Sequence, residues 1–314
     1  MIVDAHHHLW DPADRPYPWM DESVAPIRRR FDVDDLRGVT STTDVTRTIV
    51  VQAVHDADET AWLLRQPAPV VGVVGWVDLT APDVADRVAA LRLHPDGASG
   101  SSASGSASGS ASGSASGGSA SGGSASGSPR LVGIRHQAQD EPDPDWLARA
   151  EVARGVRALA DAGLVFDLLI RDREHRAALT LVDAVPEAPF VLDHAGKPAI
   201  ADDSTEVAAA WRSRMRDFAA RPNVVCKVSG LLTEGGSSWR DRPVARYARE
   251  VVERFGPDRS LFGSDWPVST LATDYADVLR TTADALADLT PDERDAVFRR
   301  TAERVYLADA SPQT

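Results

Sequence analysis

The 314-residue chain contains a single cysteine, so an internal disulfide framework is excluded and a reducing compartment is expected. That residue, Cys226, lies in the apolar run Val224-Val225-Cys226, which suits a buried structural thiol better than a nucleophile. Basic residues are also short: 34 Lys and Arg stand against 47 Asp and Glu, a formal net charge of −13. Without a basic stripe there is nothing to neutralise phosphates, so nucleic acid and anionic membranes are not expected partners. No apolar run approaches the ~20 residues of a membrane span, and no signal-like segment precedes the first strand, giving a soluble, cytoplasmic expectation. A glycine-rich phosphate turn after that strand is missing too, which argues against an open doubly wound sheet. What remains is a chain long enough to bury a large core, expected to act on a small molecule, its oligomeric state open.

The chemistry starts at the N-terminus, with Ile2-Val3-Asp4-Ala5-His6-His7-His8-Leu9-Trp10. In a strand, alternate residues share a face, so Asp4, His6 and His8 are expected on one side and His7 on the other. Two imidazoles at a strand end can bind a divalent metal, or polarise a carbonyl in its absence. An affinity-tag remnant is a poor explanation, because only three histidines occur and they sit in strand-like sequence.

Short apolar, β-branched runs recur at 2–5, 48–53, 70–77, 131–135, 164–169, 190–193, 224–229 and 260–262. Helical patterns separate them, at 59–65, 83–93, 145–162, 174–184, 207–220, 244–255 and 275–289, with a last helix from Pro291 to about Leu307 and a weak one over 32–40. Eight strands alternating with helices predict a parallel (β/α)8 barrel, an α/β TIM barrel, over residues 1–309. From Gly97 to Ser128 every residue is Gly, Ala or Ser. This composition has nothing to bury and reads as a flexible insert at 97–128, between the third helix and the fourth strand. That position is opposite the strands' C-terminal ends, where barrel active sites are built, so the insert should not touch the chemistry.

Polar residues gather at those C-terminal ends. Strand 1 delivers His6 and His8, strand 2 Gln52, strand 3 Trp76 and strand 4 Arg135-His136. Strand 6 ends in Asp193-His194, strand 7 places Val225, Lys227 and Ser229 on one face, and strand 8 runs into Gly263-Ser264-Asp265-Trp266-Pro267. Each has a plainer alternative. His194 suits a hydrogen-bonded core histidine, Asp265 a turn cap, and Trp76 and Trp266 packing. Lys227 suits a buried charge paired with an acid such as Asp4. Arg135 and His136, as strand neighbours, face opposite ways, so only one can point into the mouth.

These segments resemble the amidohydrolase superfamily, amidohydrolase-related family 2, in its L-fuconolactonase and L-rhamnonolactonase branch. The resemblance is carried by Asp4-Ala5-His6-His7-His8-Leu9-Trp10-Asp11, by Gly133-Ile134-Arg135-His136 with Gln139-Asp140-Glu141-Pro142, and by Leu192-Asp193-His194-Ala195-Gly196-Lys197-Pro198. Cys226-Lys227-Val228-Ser229-Gly230-Leu231 and Phe262-Gly263-Ser264-Asp265-Trp266-Pro267 complete it. It implies a carbohydrate lactonase in which Asp265 activates water and His194 helps polarise the carbonyl. Arg135, Lys227, Gln52, Trp76 and His136 would bind substrate. It further implies either no required cofactor or one divalent metal, zinc first, on His6, His8, His194 and Asp265. Arg135-His136 stands where two-metal relatives place a bridging lysine or glutamate, which argues against a two-metal centre. The competing expectations are a metal-dependent decarboxylase on the same barrel, a pyrone or other carboxylic-ester hydrolase, and a catalytically dead binding barrel.

Overall fold

In the computed structural model, residues 1–93 and 127–308 are described; most of the 97–128 segment lies outside them. Eight strands follow one another in order: β1 (Ile2–His7), β2 (Val45–Val51), β3 (Val70–Gly75), β4 (Arg130–His136), β5 (Val165–Leu168), β6 (Phe190–Leu192), β7 (Val224–Val228) and β8 (Ser260–Phe262). Each pairs in parallel with the next, so the sheet order is the chain order. The intervening helices are α1 (Val33–Thr40), α2 (Ala57–Leu63), α3 (Val84–Arg92), α4 (Ala150–Asp161), α5 (His175–Ala184), α6 (Thr205–Ala219), α7 (Leu231–Glu234), α8 (Val244–Phe255), α9 (Tyr275–Ala285) and α10 (Pro291–Asp295). This is the expected (β/α)8 barrel. Among the described residues no helix is long and apolar enough to cross a membrane.

Local chemistry explains the element boundaries. The weak α1 is held by a capping box, in which Asp32 accepts from the Asp35 amide while the Asp35 side chain accepts from the Asp32 amide. Thr290 and Glu293 do the same for α10, with Pro291 at its first position. The long helix expected over 145–162 breaks at Arg149, whose extended backbone separates a short 3-10 turn, Trp146–Ala148, from α4.

Inside the barrel, Val3, Ala5, Ile49, Val51, Val74, Val132, Val165, Val191, Val225 and Leu261 pack into one buried cluster. Such branched residues fill barrel interiors because short, stiff side chains interdigitate at the narrow axis. Tyr306, from the C-terminal helical segment, joins this cluster. The larger apolar cluster lies between the strands and the helices.

Closure of the barrel bears directly on the site. Beyond β8 the chain runs alongside β1: the His8 amide donates to the Trp266 carbonyl at 2.7 Å and the Asp265 amide to the His6 carbonyl at 2.8 Å. Gly263 permits this approach, since a Cβ there would stand 2.6 Å from His6 Cβ. One sequence expectation fails at this seam. The β1–β2 register is irregular between Asp4 and His7, which breaks the alternation. Asp4 therefore turns away from His6 and His8. It accepts from the Ser264 amide and hydroxyl at 2.8 and 2.6 Å and from the Tyr275 hydroxyl at 2.8 Å, tying α9 to the barrel seam.

Candidate active site

His6, His8, His194 and Asp265 meet at the C-terminal mouth, as their strand-end positions require. Asp265 Oδ1 lies 3.7 Å from His6 Nε2, 3.5 Å from His8 Nε2 and 3.8 Å from His194 Nε2. The two strand-1 imidazoles approach to 3.3 Å through their Nε2 atoms. All four residues are at least 96% buried.

Second partners orient each ring. His8 Nδ1 lies 2.7 Å from the Val51 carbonyl, which only accepts, so His8 carries its proton on Nδ1 and turns the Nε2 lone pair toward Asp265. His194 Nδ1 is 2.8 Å from Ser229 Oγ. Gly230 makes room for that ring, because a Cβ there would lie 2.7 Å from His194 Nδ1. His7 points outward to Thr48 Oγ1 at 2.9 Å, as the alternation argument expects for this residue.

Backbone strain is concentrated here. Among the described residues, the non-glycine positions with left-handed φ are His194, Ala195, Lys197 and Asp265, at +52°, +51°, +49° and +56°. Each costs roughly 1–2 kcal/mol for an L-residue, and such strain persists where the surroundings enforce it.

The electrostatics keep the imidazoles neutral and the carboxylate charged. Burial lowers the His194 pKa to about 4, against the pull of Asp265 and Asp193. Burial likewise pushes His8 and, more strongly, His6 below the usual histidine value. For Asp265 burial alone would raise the pKa; His194, His8 and Lys197 together outweigh it and hold the carboxyl below its usual range. Asp265 is therefore ionised at neutral pH, as a general base must be.

The donor set fits one divalent ion. His6, His8 and Asp265 each offer a ligand atom within 4.8 Å of the others, while His194 groups instead with His6 and Asp193. Tetrahedral zinc with bonds near 2.0–2.1 Å spaces its ligands by about 3.4 Å. The 3.3–3.7 Å separations of the first three match that spacing. Chemistry points the same way: the His8 lone pair and an anionic Asp265 oxygen face each other, and two acceptors at 3.5 Å need a proton or a cation between them. The Arg135 guanidinium NH1 lies 3.4 Å from His6 Nε2, a fixed positive charge beside this donor set.

The other sequence candidates divide. Arg135 faces into the barrel, donating to Asp193 Oδ2 at 3.2 Å and to the Gln52 carbonyl. Gln52 donates to the Arg135 carbonyl at 3.2 Å, leaving its own Oε1 buried without a hydrogen-bond partner among the described residues. Lys227 corrects an expectation. It lies beneath His6 rather than in the mouth, fully buried, with Nζ 2.6 Å from Asp167, 2.9 Å from Asp193 and 3.1 Å from His6 Nδ1. It supports His6 in place of a sugar, and its acids are Asp167 and Asp193, not Asp4. His136 and Trp76 belong to a separate stack of rings, in which His55 packs between them at 5.6 Å from Trp76 and 4.0 Å from His136, and Trp146 covers His136 at 3.8 Å. Both His136 nitrogens are taken, one by Trp76 Nε1 at 3.3 Å and one by Glu141 at 2.7 Å, so the substrate role expected of His136 finds no free donor or acceptor.

Sequence reasoning assigned no role to Asp167, Asp193, Lys197 or Glu234. Asp193 was visible as the neighbour of His194, and Lys197 as a charge just beyond that strand end. Asp167 had no signal beyond being an acid within strand 5, and Glu234 none beyond being an acid a few residues after strand 7. Lys197 and Glu234 line a cavity of about 270 Å3 with His194, Asp265, Thr233, Val268 and Leu271.

Comparison with known proteins sets this geometry in context. A family model described as "Amidohydrolase" matches residues 3–307. An L-fucono-1,5-lactonase of Burkholderia multivorans is 34% identical over 319 residues, covering 97% of this chain and 95% of that one. An amidohydrolase crystal structure from Burkholderia multivorans with bound zinc superposes with a TM-score of 0.79 at 33% identity, covering 98% of this chain and 99% of that one. The same amidohydrolase with bound HEPES gives 0.81 at 33% identity and the same coverage.

Proposed function

The chain belongs to the amidohydrolase family, and we propose that within it this protein hydrolyses sugar-acid lactones of the L-fucono-1,5-lactone kind. The observation that carries the reading is the meeting of Asp265 with three buried imidazoles, one of which, His194, lines a small cavity with it, in a chain 34% identical to an L-fucono-1,5-lactonase.

Ring opening needs an activated water, a polarised carbonyl and protonation of the leaving oxygen. Asp265 takes a proton from water as the water oxygen bonds to the lactone carbonyl carbon. With the Ser229 hydroxyl donating to Nδ1, His194 carries its proton on Nε2 and donates to the developing oxyanion. The carbonyl then re-forms as the bond to the ring oxygen breaks, and Asp265 returns its proton to that alkoxide. The product is the open-chain hydroxy acid. His6, His8 and Asp265 are the residues that would hold a divalent ion; when bound, it supplies Lewis-acid assistance to the water or the carbonyl. Lys227 and Arg135 fix His6 from below and beside it.

The test is acid release from a panel of aldonolactones, with and without prolonged chelation, for wild type and Asp265→Asn. Hydrolysis that falls by about 10³ or more in the variant supports the reading. Loss on chelation, restored by zinc, places an ion on His6 and His8. Failure to open any lactone, with carbon dioxide released from aromatic acids instead, would replace the reading by the decarboxylase one.

A further inference from the structure

After β6 the chain holds His194, Ala195, Gly196 and Lys197 in four successive left-handed conformations, φ +52°, +51°, +65° and +49°. Only one of the four is glycine. L-residues avoid such a run because Cβ crowds the following carbonyl, and where it survives it aims side chains that the fold would otherwise point elsewhere. Here its two ends, His194 and Lys197, line the same cavity as Asp265. The short α7, which starts beside His194 at Gly230, brings Glu234 to that cavity as well.

Lys197 acts on Asp265 through space, helping to hold that carboxyl ionised. Among the described residues, the Lys197 ammonium and the Glu234 carboxylate make no hydrogen bond or ion pair, and neither is sealed away from the cavity. Burial lowers the Lys197 pKa and raises that of Glu234, each opposed by the charge of the other. An ammonium only donates and an ionised carboxylate only accepts, so the two together match neighbouring hydroxyls, each of which can do either. Val268, Leu271 and Ala272 give the cavity an apolar wall suited to a ring's C–H face.

Resting on the lactonase reading above, we propose that Lys197 and Glu234 recognise the ring hydroxyls of the substrate, making the enzyme selective for polyhydroxylated lactones over unsubstituted ones. Lys197 donates to one hydroxyl oxygen while Glu234 accepts from its neighbour. The strained turn thereby places the group that polarises the carbonyl and the group that reads the ring at a fixed separation.

The test compares kcat/KM for L-fucono-1,5-lactone with kcat/KM for δ-valerolactone, a ring of the same size without hydroxyls, in the full-length wild type, Lys197→Met, Lys197→Gly and Glu234→Gln. Lys197→Gly relieves the left-handed backbone and guards against misfolding of the Met variant. The ratio of the two constants is expected to fall at least about tenfold in each variant, mainly through KM on the hydroxylated substrate. The Asp265→Asn background lowers both constants together and leaves the ratio in place. A ratio that stays within twofold in all three variants overturns the proposal while leaving the lactonase reading intact. A wild type that prefers δ-valerolactone does the same. A wild type inert toward every lactone overturns both.

Discussion

Lys227 Nζ and Asp167 Oδ2 lie 2.6 Å apart with both side chains fully buried, and the Tyr306 hydroxyl donates to both oxygens of the same carboxylate at 2.8 and 2.9 Å. Asp193, held well below the usual carboxylate range because Lys227, His6 and Arg135 outweigh its burial, completes the cluster. Removing one partner strands the others. Lys227→Met is expected to cost about 3–5 kcal/mol in urea-induced unfolding, and the double variant with Asp167→Asn to recover part of it. A loss below about 1 kcal/mol in the single variant would show that the cluster is dispensable.

Gly230 and His194 give a sharper catalytic test. An added Cβ meets the imidazole at 2.7 Å, at a backbone φ of +65° that already resists substitution. Gly230→Ala is expected to reduce kcat/KM about 100-fold by displacing His194. Gly256→Ala serves as the control for strain alone: its φ is +79°, with open space around the position and no part in the site. Equal kinetic effects in the two variants would mean that strain, not the imidazole's position, is being measured.

His136 provides the pH test. Burial lowers its pKa from 6.5 to about 4, and His55 behaves the same way. Between those values the unfolded chain binds a proton that the folded chain refuses, so stability is complete above about pH 6.5 and is lost as the pH falls toward 4. Glu59, pushed up to about 7 by burial, works in the opposite direction, so the comparison of variant with wild type is the informative quantity. His136→Gln is expected to flatten the fall in unfolding free energy between pH 6.5 and 4.5 by up to about 1.4 kcal/mol per pH unit. An unchanged slope would mean that this histidine is not buried neutral.

The Gly/Ala/Ser segment should be silent in catalysis. The described chain leaves α3 at Arg92 and re-enters at β4 with Arg130, at the end of the barrel opposite His6 and Asp265. Replacing 97–128 with a short Gly-Ser link is expected to leave kcat/KM within twofold in the same acid-release assay. A large loss in a correctly folded deletion would contradict that placement.

The barrel was legible because its pattern is local. Eight β-branched runs alternate with helical stretches, and a parallel sheet closed by right-handed crossovers leaves little topological freedom. His6, His8, His194 and Asp265 were legible for the same reason, since a strand-end position in such a barrel already places a side chain at the mouth. Asp4 was misread because a register irregularity is a compromise between neighbouring strands, and no strand carries it in its own residues. Lys227 was misplaced because depth along a strand depends on barrel stagger, which put its ammonium beneath His6 between two acids. The sequence by itself determined which chemical groups reach the strand ends. Only the tertiary structure decided which of them face the cavity, as Lys197 and Glu234 do, and which are neutralised by partners, because pairing between residues remote in sequence is settled by packing and desolvation.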